Sequence, residues 1–155
     1  MANKQKLDKT QQSTYKKLLD QLELGYYSGH IRLDSLEFRC PEDVVEYPME
    51  PVEDVEIYWK YSFEKKDDGF NVNVIIRNEI LSDFGEDDCI ALEIGYTLYY
   101  GSKMDLPDSL IKKFAHEKVL PQVWPYFREL AGELYFKAGL KWVIIPFEPK
   151  IITEY

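Results

Sequence analysis

The chain of 155 residues is long enough to bury a sizeable core in one domain without disulfides or a structural metal ion. Its formal net charge of −9 and pI of about 4.8 argue against nucleic acid as a partner, because phosphate binding needs a basic surface. Aromatic residues make up 15% of the chain and supply large amphipathic contact area.

The cysteine content and the N-terminal sequence indicate where the protein is expected to act. The two cysteines, Cys40 and Cys89, are too few for a secreted disulfide framework. The polar N-terminus lacks the apolar segment of a signal peptide, and no apolar run approaches the length of a membrane span. We therefore expect a cytoplasmic protein with reduced thiols.

A short amphipathic helix is predicted after a polar stretch, residues 1–12, that we expect to be loose. The helix is expected to begin at a cap provided by Ser13 or Thr14 and to end at Gly25. Its apolar residues recur at helical spacing, namely Tyr15, Leu18, Leu19 and Leu22.

Residues 31–39 predict a strand with an irregularity in its middle. The apolar residues follow two phases of a period-2 pattern, Ile31 and Leu33 in one phase and Leu36 and Phe38 in the other. This slip indicates a β-bulge or a break near Asp34-Ser35. The proline-containing residues 41–54 predict a long extended connection with embedded apolar side chains, and such connections are often functional.

Three further strands are predicted with short connections between them. Residues 55–64, 70–77 and 90–100 alternate apolar and polar side chains, and Asp67-Asp68-Gly69 is a turn signal. Consecutive strands joined in this way predict an antiparallel meander.

The helical part of the chain is predicted to follow the meander. Asp108 or Ser109 is expected to cap a short helix. Because proline fits a first turn but breaks an interior hydrogen bond, we expect the main helix to begin at about Pro125. Gly139 suits the C′ position that ends this helix. The predicted core stripe contains Trp124, Phe127, Leu130 and Leu134.

The sequence offers no pattern typical of catalysis or metal binding. The two histidines, His30 and His116, have no second ligand at metal spacing, and no nucleophile motif or glycine-rich phosphate loop is present. Glu86, Asp87 and Asp88 do not match an EF-hand loop, and we expect them to be solvated. A non-enzymatic protein without a cofactor or a metal is therefore expected.

Several segments of the chain resemble the SecB family of export chaperones. Ile31-Arg-Leu-Asp-Ser-Leu-Glu-Phe38, followed by Pro41, resembles the first strand of that family, and Leu92-Glu-Ile-Gly-Tyr-Thr-Leu98 resembles its last strand. Leu120-Pro-Gln-Val-Trp-Pro-Tyr-Phe-Arg-Glu-Leu130 resembles the start of its helix. Gly139 through Phe147 resembles the segment that leads into its lid. The residues that fit the family's helix form position by position are Pro125, Tyr126, Arg128 and Glu129.

The resemblance covers roughly residues 31–147 and implies an α+β fold. The expected architecture is a curved four-stranded antiparallel sheet packed by the C-terminal helix. Residues 1–30 would form an extra N-terminal helical arm, and residues 148–155 a C-terminal tail. A structural role, fixing helix to sheet or subunit to subunit, is expected for Pro125, Tyr126, Arg128, Glu129 and Gly139.

The function that the resemblance implies is that of an ATP-independent holdase for protein export. Such a protein is a homotetramer, a dimer of dimers, that holds unfolded or non-native polypeptides in apolar grooves. Ala138-Gly139-Leu140-Lys141 replaces the family's Gly-Gly-Phe-Pro, and the short C-terminus leaves little room for a SecA-reading tail. These departures favour SecB-like proteins outside classical export. The alternatives are a dedicated chaperone of an antitoxin and an interaction protein without general client binding.

The client-binding groove is expected to draw on two segments and one strand. Tyr47, Met49 and Val52 in the proline loop, with Trp59 beside them, either line the groove or pin the loop to the sheet edge. Trp142, Ile144 and Phe147 are expected on the lid side of the groove. Trp124 and Phe127 also have groove chemistry, but a helix stripe of this kind more often belongs to the core, and we expect them there.

Overall fold

Five strands and a continuous run of helix make up the part of the chain that the computed structural model describes. That part comprises residues 8–23, 30–40, 56–80, 90–140, 143, 145 and 152–154. The elements in chain order are α1 (Lys9–Glu23), β1 (His30–Arg39), β2 (Glu56–Lys66), β3 (Gly69–Ile80), β4 (Ile90–Gly101), α2 (Asp108–Phe114), a π-helical turn (Ala115–Val119), α3 (Leu120–Lys137) and β5 (Ile152–Glu154).

The strands form one sheet in the order β1-β4-β3-β2-β5. The pairs β1–β4, β4–β3 and β3–β2 are antiparallel, which confirms the predicted four-stranded antiparallel sheet. The fifth strand, β5, was not predicted and pairs in parallel with β2. It lies within the predicted C-terminal tail, residues 148–155, where three residues give too little pattern for a strand to be recognised.

One face of the sheet carries the hydrophobic core and is covered by the helices. The predicted inward residues of β3 are all buried, and so are their counterparts on β4, namely Phe70, Val72, Val74, Ile76, Leu92, Ile94, Tyr96 and Leu98. Phe114 of α2 contacts Phe70 and Tyr100 edge-on, with ring centroids 5.8 and 4.9 Å apart. Trp124 and Phe127 are buried as predicted, whereas Leu130 and Leu134 are half-buried at the margin of the core.

A β-bulge interrupts β1 where the sequence pattern slips. The pairing with β4 shifts between Leu33 and Ser35, which confirms the predicted irregularity. The bulge rotates the second half of the strand, so that all four apolar residues pair with core-facing residues of β4. Gly95 makes room for the bulge, because a Cβ atom there would lie 2.4 Å from Oγ of Ser35.

The first helix begins earlier than predicted. Asp8 and Gln11 form a reciprocal capping box, in which the backbone N–H of Gln11 donates to Oδ1 of Asp8 at 2.7 Å. The predicted cap at Ser13 or Thr14 is wrong, since both residues lie inside α1 and Thr14 Oγ1 donates to the carbonyl of Thr10. The predicted loose stretch therefore does not include residues 9–12.

The prediction that the main helix begins at about Pro125 is wrong. Helix α2, the π-helical turn and α3 are continuous, and Pro125 lies inside α3. The π-helical turn directly precedes α3, and its wider geometry gives the ring of Pro121 more room than an α-helical turn would. Pro121 and Pro125 are both exposed, so neither ring displaces a core side chain.

The predicted caps at the start of the helical run are wrong, whereas its predicted end is confirmed. Pro107 occupies the N-cap of α2 without a side-chain hydrogen bond, so the predicted caps Asp108 and Ser109 are wrong. At the other end Gly139 has a φ of 82°, and the N–H groups of Gly139 and Leu140 donate to the carbonyls of Phe136 and Tyr135. This is the Schellman pattern, which confirms Gly139 as the C′ residue.

The tight hairpin between β2 and β3 predicts that Gly69→Ala destabilises the fold. A Cβ atom at Gly69 would lie 1.9 Å from the carbonyl oxygen of Tyr100, which is a backbone atom of the neighbouring strand. We expect a loss of about 2–3 kcal/mol in the free energy of unfolding, measured by urea denaturation. The control is Gly132→Ala, where nothing lies within 4 Å, and a gain of about 0.5–1 kcal/mol is expected. Equal effects of the two substitutions would contradict this account.

The docking of α1 predicts a pH-dependent contribution from Glu117. Tyr15 Oη donates to Glu117 Oε2 at 2.7 Å, and Lys113 Nζ lies 2.9 Å from Glu117 Oε1. Burial raises the pKa of Glu117, but the hydrogen bonds from Lys113 and Tyr15 outweigh it and the pKa is lowered. Because the Glu117 side chain is 46% exposed, we expect Glu117→Gln to cost only about 1 kcal/mol at neutral pH.

The sign of that pKa shift fixes how the cost of Glu117→Gln changes with pH. A lowered folded-state pKa stabilises the fold only where the carboxyl group is ionised, so the cost should be full above the unfolded-state pKa of a glutamate, about 4.3, and should fall as the pH decreases below that value. Urea denaturation across this range measures it. Glu133→Gln is the control, since the Glu133–Lys137 pair lies on the exposed side of α3 and should contribute almost nothing. A pH-independent cost would contradict the assignment.

Candidate functional site

Three groups of side chains in the described part of the chain present aromatic or aliphatic surface at the margin of the core or outside it. The first, the β2 aromatic cluster, is formed by Trp59, Tyr61, Phe63 and His116. The second, the β1 edge patch, is formed by Leu33 and Leu36. The third, the α3 patch, is formed by Tyr126 and Phe136.

The β2 aromatic cluster joins the strand to the π-helical turn. The rings of Trp59 and Tyr61 stack with their centroids 5.3 Å apart and an interplanar angle of 22°. His116 meets both rings edge-on, at 5.4 Å from Trp59 and 5.2 Å from Tyr61. The π-helical turn is what places His116 over the strand, and such turns often mark functional positions.

Burial along β2 falls off toward the β2–β3 hairpin. Trp59 is 4% exposed, whereas Tyr61 and Phe63 are only half-buried although their partners on β3, Val74 and Val72, are fully buried. The difference arises because β3 has a strand on both sides and β2 is the last antiparallel strand of the sheet. Tyr61 and Phe63 therefore present apolar surface next to a strand edge.

The β1 edge patch lies at the opposite end of the sheet. Leu33 and Leu36 are 49% and 43% exposed although both pair with core-facing residues of β4. The flanking Ile31 and Phe38 pack on the core, and the Phe38 ring meets the Tyr135 ring edge-on at 5.7 Å. The hydroxyl of Tyr96, which pairs with Leu33, is buried without a hydrogen-bond partner among the described residues.

The α3 patch lies on the side of the helix that faces away from the sheet. Tyr126 is 53% exposed and Phe136 is 62% exposed, and Arg128 and Glu129 are exposed beside them. The family-like residues Pro125, Tyr126, Arg128 and Glu129 are therefore all exposed on α3. Their expected structural role, fixing helix to sheet or subunit to subunit, stays a prediction.

Most of the predicted groove residues lie outside the described residues, and their role stays a prediction: Tyr47, Met49, Val52, Trp142, Ile144 and Phe147. Trp59 is described, and it belongs to the base of the β2 aromatic cluster rather than to an open surface. The sequence analysis did not predict Tyr61, Phe63 or His116 as groove residues. The alternation along β2 placed Tyr61 and Phe63 on the same face as Trp59, but only the sheet order makes them border an edge.

Metal-ligating residue groups and a cavity beside the sheet bear on whether the described residues form a chemical site. Among the described residues, no group of three or more histidine, cysteine, aspartate or glutamate residues is placed to hold a metal ion. A cavity of about 240 Å³ at the β2–β3 hairpin is lined by Lys65, Lys66 and Lys103. Two of these lysines are paired with acids, Lys65 with Asp108 at 2.8 Å and Lys66 with Glu64 at 2.7 Å.

Cys40 lies directly after β1. Burial raises the pKa of the half-buried Cys40 thiol, which disfavours the reactive thiolate. Of the helices in the described ranges, none combines the length and the apolar character needed to cross a membrane.

Comparison with known proteins gives a likeness in structure and none in sequence. No protein-family model matches the chain, and no curated protein sequence is significantly similar to it. A solved structure that is similar is the SecB-like chaperone Rv1957 of Mycobacterium tuberculosis in complex with a ChAD peptide from the HigA1 antitoxin Rv1956. The TM-score is 0.60 at 11% sequence identity, over 88% of this chain and 99% of that one. The likeness confirms the expected SecB-like α+β fold.

The position of Trp59 predicts that its removal acts on stability. Because the ring is buried and stacked, Trp59→Ala should cost about 3–5 kcal/mol and lower the melting temperature by about 10 °C. Phe63→Ala removes a half-buried ring from the same face and should cost less than half as much. Thermal unfolding followed by circular dichroism measures both variants. Equal melting temperatures for the two would show that Trp59 does not belong to the core.

Proposed function

We propose that the protein is an ATP-independent holdase that binds non-native polypeptides in the cytoplasm. The observation that carries the proposal is the row of half-buried aromatic side chains along β2, on a fold similar to that of a SecB-like chaperone. Aromatic and aliphatic surface next to a strand edge binds extended chains without reading their sequence, because apolar burial is non-directional. The proposal includes no catalytic step and no cofactor.

The charge of the chain fits the same role. A formal net charge of −9 keeps molecules that expose apolar surface apart in solution. On the outer face of the sheet Arg77 pairs with two acids, with Glu79 of the same strand (Nε to Oε1, 2.5 Å) and with Glu93 of the neighbouring strand β4 (Nη1 to Oε2, 3.5 Å). The outer face of the sheet is therefore suited to contact with solvent. The apolar side chains at the two ends of the core-facing side are suited to contact with another polypeptide.

The proposed assembly is a homotetramer, a dimer of dimers, with the β1 edge patch in the contact between two copies. Leu33 and Leu36 lie on the core-facing side of a strand that ends the sheet. A second copy of β1 would continue the sheet and cover both leucines, which removes an exposed apolar edge that otherwise favours uncontrolled pairing. The tetramer gives each client several apolar surfaces at once.

A dedicated chaperone of an antitoxin is the second candidate function. The observation in its favour is the similar structure, since Rv1957 is seen with a peptide from an antitoxin. In that role this protein would protect a single partner instead of many export clients, and contact with SecA would not be required. An interaction protein that has the fold but no general client binding is the third candidate.

The test of the proposal is the solution mass of the protein, measured by light scattering with and without a reduced, unfolded model protein. We expect a tetramer that takes up the unfolded chain and that suppresses the aggregation of several unrelated proteins at near-stoichiometric ratios. Protection of one partner alone would favour the dedicated chaperone. A tetramer or smaller species that takes up no unfolded chain overturns the holdase proposal.

A pair of substitutions in the same experiment tests the proposed assembly. Leu33→Lys combined with Leu36→Lys places charges in the β1 edge patch and should lower the solution mass. Asp67→Lys in the β2–β3 turn is the control, since this exposed residue lies away from β1 and should leave the mass unchanged. An unchanged mass for the leucine variant would place the subunit contact elsewhere.

A further inference from the structure

We propose that the outer edge of β2 is a binding edge for an extended segment of a client, and that β5 of the same chain occupies this edge until a client displaces it. The protein would then carry its own competitor for one of its client-binding surfaces. The inference rests on the proposed holdase function and adds to it a site and a means of regulation.

The first observation is how little of β2 is covered by β5. On its inner side β2 pairs with β3 along its whole length, from Glu56 opposite Glu79 to Lys66 opposite Gly69. On its outer side it pairs with β5 only at Ile57, Tyr58 and Trp59. Among the described residues, no strand lies along the outer edge from Ser62 to Lys66. Every second residue of such an edge turns its N–H and C=O groups outward, where they can pair with another chain.

The second observation is that the half-buried aromatic rings of β2 lie beyond the residues that pair with β5. Ile57 and Trp59 lie in the part of β2 that pairs with β5, and both are 4% exposed. Tyr61 and Phe63 lie on the same face of the strand beyond the end of β5, and both are only half-buried. A strand added here would place alternate side chains next to Tyr61 and Phe63, as in binding by β-strand addition.

The third observation is that β5 is a weak occupant. It has three residues, Ile152 to Glu154, and its pairing with β2 is parallel, which is slightly less stable per residue than antiparallel pairing. A client strand along the whole of β2 would form more backbone hydrogen bonds than β5 and would also cover Tyr61 and Phe63. Displacement of β5 therefore costs the free energy of a few backbone hydrogen bonds. A long extended client regains more than this by pairing along β2, whereas a short peptide does not.

The test locks β5 to β2 with a reversible disulfide in the full-length chain. Tyr58→Cys with Thr153→Cys joins two residues that are register partners, in a background with Cys40→Ser and Cys89→Ser. The probe is reduced, carboxymethylated lactalbumin carrying a fluorophore, and its affinity is measured by fluorescence anisotropy. The oxidised protein should bind the probe at least about tenfold more weakly than the same protein after reduction.

A second variant acts in the opposite direction. Ile152→Pro with Thr153→Pro weakens the pairing of β5, because consecutive residues alternate the sides to which their N–H groups point and one of the two prolines removes a donor to β2. This variant should bind the probe about threefold or more tightly than the unmodified chain. Its solution mass and circular dichroism should match those of the unmodified chain.

The outcomes separate the inference from the proposed function. Equal probe affinity of the oxidised and reduced forms, with clear binding by both, overturns the role of β5 and leaves the holdase proposal standing. Binding by no form of the protein, the proline variant included, overturns both proposals. Weak binding by the oxidised form that recovers on reduction supports the inference, since a folding defect of the variant would persist after reduction.

Discussion

The buried contact between Tyr135 of α3 and Asn78 of β3 fixes the long helix to the sheet. The Tyr135 hydroxyl donates to Oδ1 of Asn78, and the Asn78 amide donates to the carbonyl of Glu56 at 3.1 Å. Both side chains are almost fully buried, so any shift of the helix would leave polar groups without partners in a low-dielectric core. One arrangement of α3, β3 and β2 is thereby favoured over its neighbours.

The fixed helix determines which surfaces of the sheet are left for other molecules. With α3 held at Asn78, the continuous helix runs back through the π-helical turn and brings His116 against Trp59 and Tyr61. The helical run covers the middle of the sheet. At its two sides the side chains of Leu33, Leu36, Tyr61 and Phe63 remain partly exposed to solvent. Surfaces of this kind are costly unless another chain covers them, which is why we assign one edge to a second copy and the other to β5 or a client.

Local pattern was sufficient for most of the fold because the deciding signals act over a few residues. The alternation of Phe70 to Ile76 gave the inner face of β3, the phase slip in β1 gave the bulge, and Gly139 gave the end of α3. The errors arose where tertiary packing outweighed local preference. The prolines of α3 predicted a helix start at Pro125, but the π-helical turn before Pro121 and the solvent-facing side of the prolines let the helix continue through both.

The antiparallel meander and the N-terminal helix could be predicted from periodicity and residue type, which each short segment carries alone. The α+β fold class was implied by the resemblance of several segments to the SecB family. Three features depend on long-range packing and could not be predicted from local pattern. Trp59 is buried while Tyr61 and Phe63 border an edge, Leu33 and Leu36 remain exposed, and residues 152–154 form a strand on β2. The reason is that exposure at a sheet margin depends on which strand is last in the sheet, and strand order is set by contacts between residues far apart in the chain.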